Sequence, residues 1–251
     1  MRKTTMNMER KIRSEAVRLG IDLIGFSSMT EQLCLRDEWK KYIRERGYCC
    51  AITLANAISV SACDLLLKNV DQGTLFYFAK HCMAQAEALA IAAERLCLFI
   101  EKNGYRAFQV PGRGTAYSDD NCQTILSHIT HARLSGIGTM GDSGMLLTRQ
   151  YGPRIRLTTI LTNCTLPVPA ELEDEVCTHC GACAAICPSG SITNGRFDER
   201  CPERCYTNKR ACAAHRNENK ERFGSRFCNL CMAVCPVGED KKRLNIRNAI
   251  E

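Results

Sequence analysis

Cys177-Thr178-His179-Cys180-Gly181-Ala182-Cys183-Ala184-Ala185-Ile186-Cys187-Pro188 is the stretch on which the reading of this chain turns. Its spacing is C-x2-C-x2-C-x3-C-P, that of a bacterial iron–sulfur ligand run. Three thiolates of such a run hold one [4Fe–4S] cube, and the fourth, before the proline, ligates another. A partner run is therefore required, and Cys228-Asn229-Leu230-Cys231-Met232-Ala233-Val234-Cys235-Pro236 supplies it. Zinc also takes C-x2-C pairs, but it needs neither the triple run nor the Cys-Pro endings. The two runs thus predict Cys177, Cys180, Cys183, Cys187, Cys228, Cys231 and Cys235 as metal ligands. An eighth thiolate has to come from the spacer, where Cys201, Cys205 and Cys212 compete and spacing alone does not choose.

Upstream of the first run, Leu166-Pro167-Val168-Pro169 is a stiff connector and the expected domain boundary. It divides the chain into 1–168 and 169–251. Residues 208–226 are basic and polar and read as a helix or loop spacer between ligands. Lys241, Lys242 and Arg243 in the tail read as a solvated charged face.

In the N-terminal part, residues 9–19 predict a helix with Ile12, Ala16 and Leu19 on one face, stopped at Gly20. Residues 22–26 and 51–60 predict strands, the second buried. Cys49, Cys50 and Cys63 read as small core residues, because no spacing pairs them. Residues 79–102 predict a long helix ended by Asn103-Gly104, and residues 106–110 a strand closed by Pro111-Gly112. The polar patch from Tyr117 to Cys122 predicts the start of a helix running to Leu134, with Asp120 or Asn121 as a cap. His128 and His131 share a face of that helix. No third ligand at regular spacing joins them, so satisfied or pocket-lining histidines are expected. Gly136-Ile137-Gly138-Thr139-Met140-Gly141 matches G-x-G-x-x-G but follows a helix rather than a strand, which argues against a dinucleotide fold. Residues 155–162 alternate as a strand.

Composition narrows the class. The chain has 251 residues with 45% apolar content, enough for a real core. Its 18 cysteines do not form a small secreted disulfide framework, and free thiols fit a reducing cytoplasm. The N-terminus lacks the apolar segment of a signal peptide. Glu87, Glu94 and Arg95 interrupt the most apolar stretch, so no membrane span is expected. A formal charge of +7 is compatible with nucleic acid, an acidic electron donor or a phosphate-bearing cofactor and selects none of them.

Three pieces carry a family resemblance: residues 19–25, LGIDLIG; residues 127–138, SHITHARLSGIG; and residues 151–157, YGPRIRL, running on to Leu161-Thr162. Followed by a two-cluster segment, they resemble the epoxyqueuosine reductase and reductive dehalogenase superfamily over about residues 10–238. The resemblance implies an α+β chain: a nitroreductase-related, cobalamin-binding domain over 1–168, then a bacterial 2[4Fe–4S] ferredoxin-like domain over 169–251. It implies that Gly136, Gly138 and Gly141 border the corrin, with Tyr151 and Arg154 nearby. In epoxyqueuosine reductases the eighth ligand lies in an Arg-Cys dipeptide, which Arg200-Cys201 matches. The implied clusters are then Cys177, Cys180, Cys183 with Cys235, and Cys187, Cys201, Cys228 with Cys231.

The departures are specific. The position of the family's proton-donating aspartate falls on Cys122, which leaves Asp120, Tyr117 and then His128 as acid candidates. No helical-repeat segment for transfer RNA follows the clusters, so transfer RNA is not an expected partner. Residues 1–11 do not match the twin-arginine signal of respiratory dehalogenases, so export by that route is not expected. The expected function is a cytoplasmic reductase that takes electrons from a low-potential donor of ferredoxin or flavodoxin type. It passes them through two clusters to cobalamin cobalt, for reductive chemistry on a small molecule or a corrinoid protein. The alternatives are an electron-transfer protein that reductively activates a partner corrinoid protein, and a ferredoxin module on a domain that has lost cobalamin.

Overall fold

The computed structural model describes residues 2–30, 33, 37–68, 70–110, 126–168, 174–193 and 207–238. In chain order the elements are α1 (Arg2–Arg18), β1 (Leu23–Ser28), α2 (Asp37–Arg46), β2 (Cys50–Ala57), α3 (Val60–Lys68), α4 (Gln72–Lys102), β3 (Ala107–Val110), α5 (His128–Leu134), β4 (Thr139–Met140), β5 (Leu146–Leu147), β6 (Ile155–Thr162), α6 (Ala182–Ala185), α7 (Lys209–Phe223) and α8 (Leu230–Ala233). The mixture is α+β. The chain divides into two compact units: residues 1–56, 85–137 and 156–173 in one, and 57–84, 138–155 and 174–251 in the other. Both are discontinuous in sequence, whereas the expected division cut the chain once, after residue 168.

The first unit is built on a four-stranded sheet in the order β1-β2-β6-β3. Leu23 pairs with Ala55 and Ser28 with Cys50 in one antiparallel ladder; Ala107 pairs with Thr162 and Val110 with Thr159 in another. Alternation sends Phe26, Ile52, Leu54 and Ile160 to one face. There they pack with Ile12 and Ala16 of α1 and Leu89, Ala93, Leu96 and Ile100 of α4. The opposite face carries Ala51, Leu161 and Val110, packed with Ile43 of α2 and with Leu126. Coverage on both faces explains why Cys50 to Ala55 are all buried and read as a near-continuous apolar run. Each fully buried Ile, Leu or Phe here contributes roughly 1.5–3 kcal/mol by leaving water. On the second face α5 also approaches closely, since a Cβ on Gly25 would lie 2.6 Å from Ser135 Oγ and 2.8 Å from its carbonyl oxygen.

The second unit has its own apolar cluster. Cys63 and Leu66 of α3 meet Leu75, Phe78 and Cys82 of α4, Phe227, and Met232 and Ala233 of α8. Phe78 and Phe227 contact edge to face with ring centroids 6.4 Å apart. A two-stranded hairpin of β4 and β5 sets Thr139 opposite Leu147.

Several expectations shift. α4 begins at Gln72 rather than at 79, because Asp71 and Thr74 cap it reciprocally: Thr74 N–H donates to Asp71 Oδ1 at 2.8 Å, and Asp71 N–H to Thr74 Oγ1 at 3.1 Å. β2 stops at Ala57, and Val60 opens a helix that the residue pattern did not announce. α2 was equally silent, since Ile43 is its single residue in the buried class. α5 starts at His128 with Ser127 as its cap, the hydroxyl accepting from Thr130 N–H at 3.2 Å; the polar patch expected to open this helix lies outside the described residues. Among the described residues, no helix is long and apolar enough to cross a membrane.

Replacing Gly25 by Ala forces a Cβ into Ser135 and is expected to lower the stability of the sheet unit by roughly 1–3 kcal/mol. Urea unfolding of the variant against the parent, followed by far-UV circular dichroism, measures it.

Candidate metal centre

The two cysteine runs adopt one local structure twice. Cys180 is followed by Gly181 at φ 74°, then the single-turn helix α6, then Ile186, Cys187 and Pro188. Cys228 is followed by Asn229 at φ 61°, then the single-turn helix α8, then Val234, Cys235 and Pro236. In both, the carbonyl of the left-handed residue accepts from two N–H groups: those of Ala184 and Ala185 in the first run, those of Met232 and Ala233 in the second, all at 3.0 Å. Glycine and asparagine are the residue types that reach this backbone region most cheaply. The left-handed step turns the chain so that the middle cysteine of the triple lies on the helix between the outer two.

The thiols group across the runs. Cys177, Cys180 and Cys183 line one cavity together with Cys235 of the second run, beside Gly141, Asp142 and Leu147. Cys231 borders the same cavity. Burial pushes the Cys235 thiol up to about 11, with a further upward push from Cys177 and Cys180 and an opposing pull from the Val237 N–H and Arg154. Cys231 is pushed up to about 12 by burial first and then by Cys228, Cys212, Cys187 and Cys183. Cys228 is raised by burial and then by Cys212 and Cys187. The charges of Cys212 and Cys187 thus act on both of the first two cysteines of the second run, and that of Cys183 on Cys231 as well. At Cys187 burial acts upward, but hydroxyl contacts from Ser189 at 3.5 Å and Ser191 at 3.2 Å outweigh it and hold the thiol at about 7. Metal binding needs thiolates, so thiols raised in this way, Cys231 and Cys235, would release protons on taking up a metal.

His179, inside the first run, takes a left-handed backbone at φ 52°. Its Nδ1 lies 3.0 Å from both Asp142 oxygens and its Nε2 2.9 Å from Glu175 Oε1. Donor atoms of Asp142, Cys177 and His179 lie within 4.8 Å of one another, a grouping that could hold a single ion. Cys177 cannot serve such an ion and a cube together, and the repeated run geometry favours the cube. The residue pattern hid this grouping because Asp142 comes from the hairpin loop, 35 residues before Cys177 (177 minus 142).

The other candidates are placed as follows. Tyr117, Asp120, Cys201 and Cys205 lie outside the described residues. His128 Nδ1 contacts Thr159 Oγ1 at 2.9 Å. His131 is fully buried, with Nδ1 3.0 Å from Ser27 Oγ. Its Nε2 and Thr53 Oγ1 are, among the described residues, the buried side-chain atoms without a hydrogen-bond partner. Gly136, at φ 73°, ends α5, its N–H donating to Arg133 O at 3.0 Å. Gly138 and Gly141 pack on β5: a Cβ would meet Leu147 O at 2.1 Å and Leu147 Cδ1 at 2.4 Å. Tyr151 N–H donates to Thr148 Oγ1 at 3.0 Å, and the Arg154 guanidinium lies on the carbonyls of Cys235 and Val237. Of the residues expected at a corrin, Gly138 and Gly141 are thus in close contact with β5 and Arg154 with the Cys235 loop.

Fold and centre together define an iron–sulfur protein of the [4Fe–4S] class: a family model described as a 4Fe–4S binding domain matches residues 170–193. The chain is 30% identical over 152 residues to a tetrachloroethene reductive dehalogenase of Sulfurospirillum multivorans, covering 56% of this chain and 27% of the relative. It is 29% identical over 120 residues to an epoxyqueuosine reductase of Bacillus subtilis, covering 46% of this chain and 30% of that one. A solved reductive dehalogenase, described in connection with B12-dependent dehalogenation, superposes with a TM-score of 0.68 at 15% identity, over 95% of this chain and 33% of its own. A solved epoxyqueuosine reductase from Bacillus subtilis gives 0.61 at 17% identity, over 94% and 67%. The chain is similar in sequence to both reductive dehalogenases and epoxyqueuosine reductases, and it shares its fold with solved members of each. It spans about a quarter to a third of the length of the curated relatives it matches.

Two outcomes follow from this geometry. Gly181→Ala places a side chain at φ 74° and is expected to cost roughly 1–2 kcal/mol and to speed iron loss to a chelator, read by absorbance of the reconstituted protein. Burial holds His131 down at about 4 from an ordinary 6.5, so the unfolded chain binds the extra proton between those values. The stability from keeping His131 neutral is present above about 6.5 and lost as pH falls towards 4. Urea midpoints across that window are expected to fall less in His131→Gln than in the parent.

Proposed function

We propose that this chain is a two-cluster iron–sulfur reductase that moves single electrons from a low-potential donor towards a corrinoid. One cube is held by Cys177, Cys180, Cys183 and Cys235, the other by Cys187, Cys201, Cys228 and Cys231. The observation that carries the reading is the exchange of last cysteines: Cys235 shares a cavity with the first run, while Cys187 lies near the first two cysteines of the second. Cys201 is the eighth ligand that the resemblance implies, and Cys212, whose charge acts on Cys228 and Cys231, is the alternative. The thiolates and the fixed backbone of the two runs hold the clusters in place.

The N-terminal unit, in this reading, is nitroreductase-related and binds cobalamin, as expected from relatives described in connection with B12-dependent dehalogenation. Bound there, cobalamin would supply a cobalt centre able to take up electrons for reductive chemistry on a substrate. The chain acts as an oxidoreductase in the cytoplasm, with a ferredoxin or flavodoxin as donor. Asp120, Tyr117 and His128 remain the candidate proton donors. A second reading has one specific support. Because internal contacts occupy Gly138, Gly141 and Arg154, the chain could instead deliver electrons to a corrinoid bound by a partner protein.

Anaerobic reconstitution followed by iron and cobalt counting is the test. About eight irons per chain are expected, with cobalamin retained on gel filtration. Iron at that level without cobalamin moves the assignment to the partner-activating reading, and about four irons rejects the two-cluster arrangement. Cys201→Ala is expected to remove about half the iron while Cys212→Ala leaves it unchanged; the reverse result moves the eighth ligand to Cys212.

A further inference from the structure

Arg154 is the bulkiest of the fully buried side chains in the described residues, with 1% of its surface exposed. A guanidinium taken out of water has to be held by hydrogen bonds. Its two terminal nitrogens are spent on one loop: Nη1 donates to the Cys235 carbonyl and Nη2 to the Val237 carbonyl, both at 2.6 Å. The backbone beneath is fixed as well, with Arg154 N–H donating to Tyr151 O at 3.1 Å and Ile58 N–H to Arg154 O at 2.8 Å. The two segments are in backbone contact. A Cβ on Gly152, at φ 55°, would lie 2.0 Å from Val237 O, and one on Gly238, at φ 74°, would lie 2.0 Å from Gly152 N. Turn and ligand loop therefore interlock, and Arg154 pins the loop from inside.

The geometry points to Arg154 as a positioning residue of the cube held by Cys177, Cys180, Cys183 and Cys235: its fork fixes the Cys235 loop, and its permanent charge favours the reduced cluster. This rests on the two-cluster reading above. The step involved is uptake of one electron, from the 2+ to the 1+ state of the cube, with no bond made or broken in the protein. Arginine keeps its proton throughout, so its charge favours the state with the added negative charge. Cluster potentials respond to local charge and hydrogen bonding in this way.

The test is an anaerobic redox titration of the reconstituted full chain followed by electron paramagnetic resonance, together with the rate of iron release to a chelator. Arg154→Gln removes the charge and part of the fork. One of the two midpoints is expected to fall by about tenfold in the reduction equilibrium, about 59 mV for a one-electron couple, while the other stays in place. Arg154→Lys keeps the charge but loses the two-point grip. Its midpoint is expected to stay near that of the parent while iron release speeds several-fold. Both midpoints and the release rate unchanged in Arg154→Gln would overturn the assignment. If Arg154→Gln does not hold its iron, Arg154→Lys decides, and a parent-like release rate in that variant overturns the proposal. Cys235→Ala separates this from a failure of the underlying reading: undiminished iron in that variant means that Cys235 is no ligand at all.

Discussion

The exchange of one cysteine between the two ligand runs is the constraint on which the second unit depends. Cys187 and Cys235 each end a run, and each sits with thiols of the other run. Two segments about forty residues apart in sequence must therefore be held side by side for these thiols to meet. The unit meets this demand with repetition. Gly181 and Asn229 provide the same left-handed step, and α6 and α8 the same single turn. Helices this short have no stability of their own. α8 is held by Met232 and Ala233 in the cluster with α3, α4 and Phe227, so folding of that cluster and metal binding support one another.

The hairpin and turn between residues 138 and 154 form the other half of the seat. Gly138, Gly141, Gly152 and Gly238 are each pressed against backbone or side-chain atoms at distances no Cβ tolerates. Glycine is needed there because neighbouring backbones meet, and this explanation calls on no ligand. The same compactness brings Asp142 to His179 and Arg154 to Cys235, so opposite charges flank one set of thiols. Their balance bears on the potential of any cluster held there.

The first unit is different in character. Its sheet is covered on both faces, yet the face under α5 carries Ser27, Thr53 and Thr159 with His131 and His128 above them. A buried polar atom without a partner costs roughly 1–3 kcal/mol. His131 Nε2 and Thr53 Oγ1 are two such atoms. An apolar substitution at either position would be the simpler solution for a purely structural layer, so this face is where the first unit departs most from an ordinary core.

The metal chemistry was legible in the sequence because ligand spacing is a local property. Iron–sulfur runs carry their ligands within a dozen residues, and Gly20 and Gly104 mark helix ends for equally local reasons. Strands β1, β3 and β6 were readable from short apolar runs. α2 and α3 were not, since α2 buries so little and α3 begins at a β-branched valine after a strand. Cys201, Cys205 and Cys212 were equal candidates by spacing, because the eighth ligand lies in a spacer with no run of its own. What only the tertiary structure decided is what long-range contacts decide. The compact units are assembled from interleaved segments, the glycine-rich stretch packs on Leu147, and Arg154 turns inward to Cys235, 81 positions away. Sequence pattern reports on neighbours along the chain; the meeting of buried groups far apart in it depends on how the whole core closes.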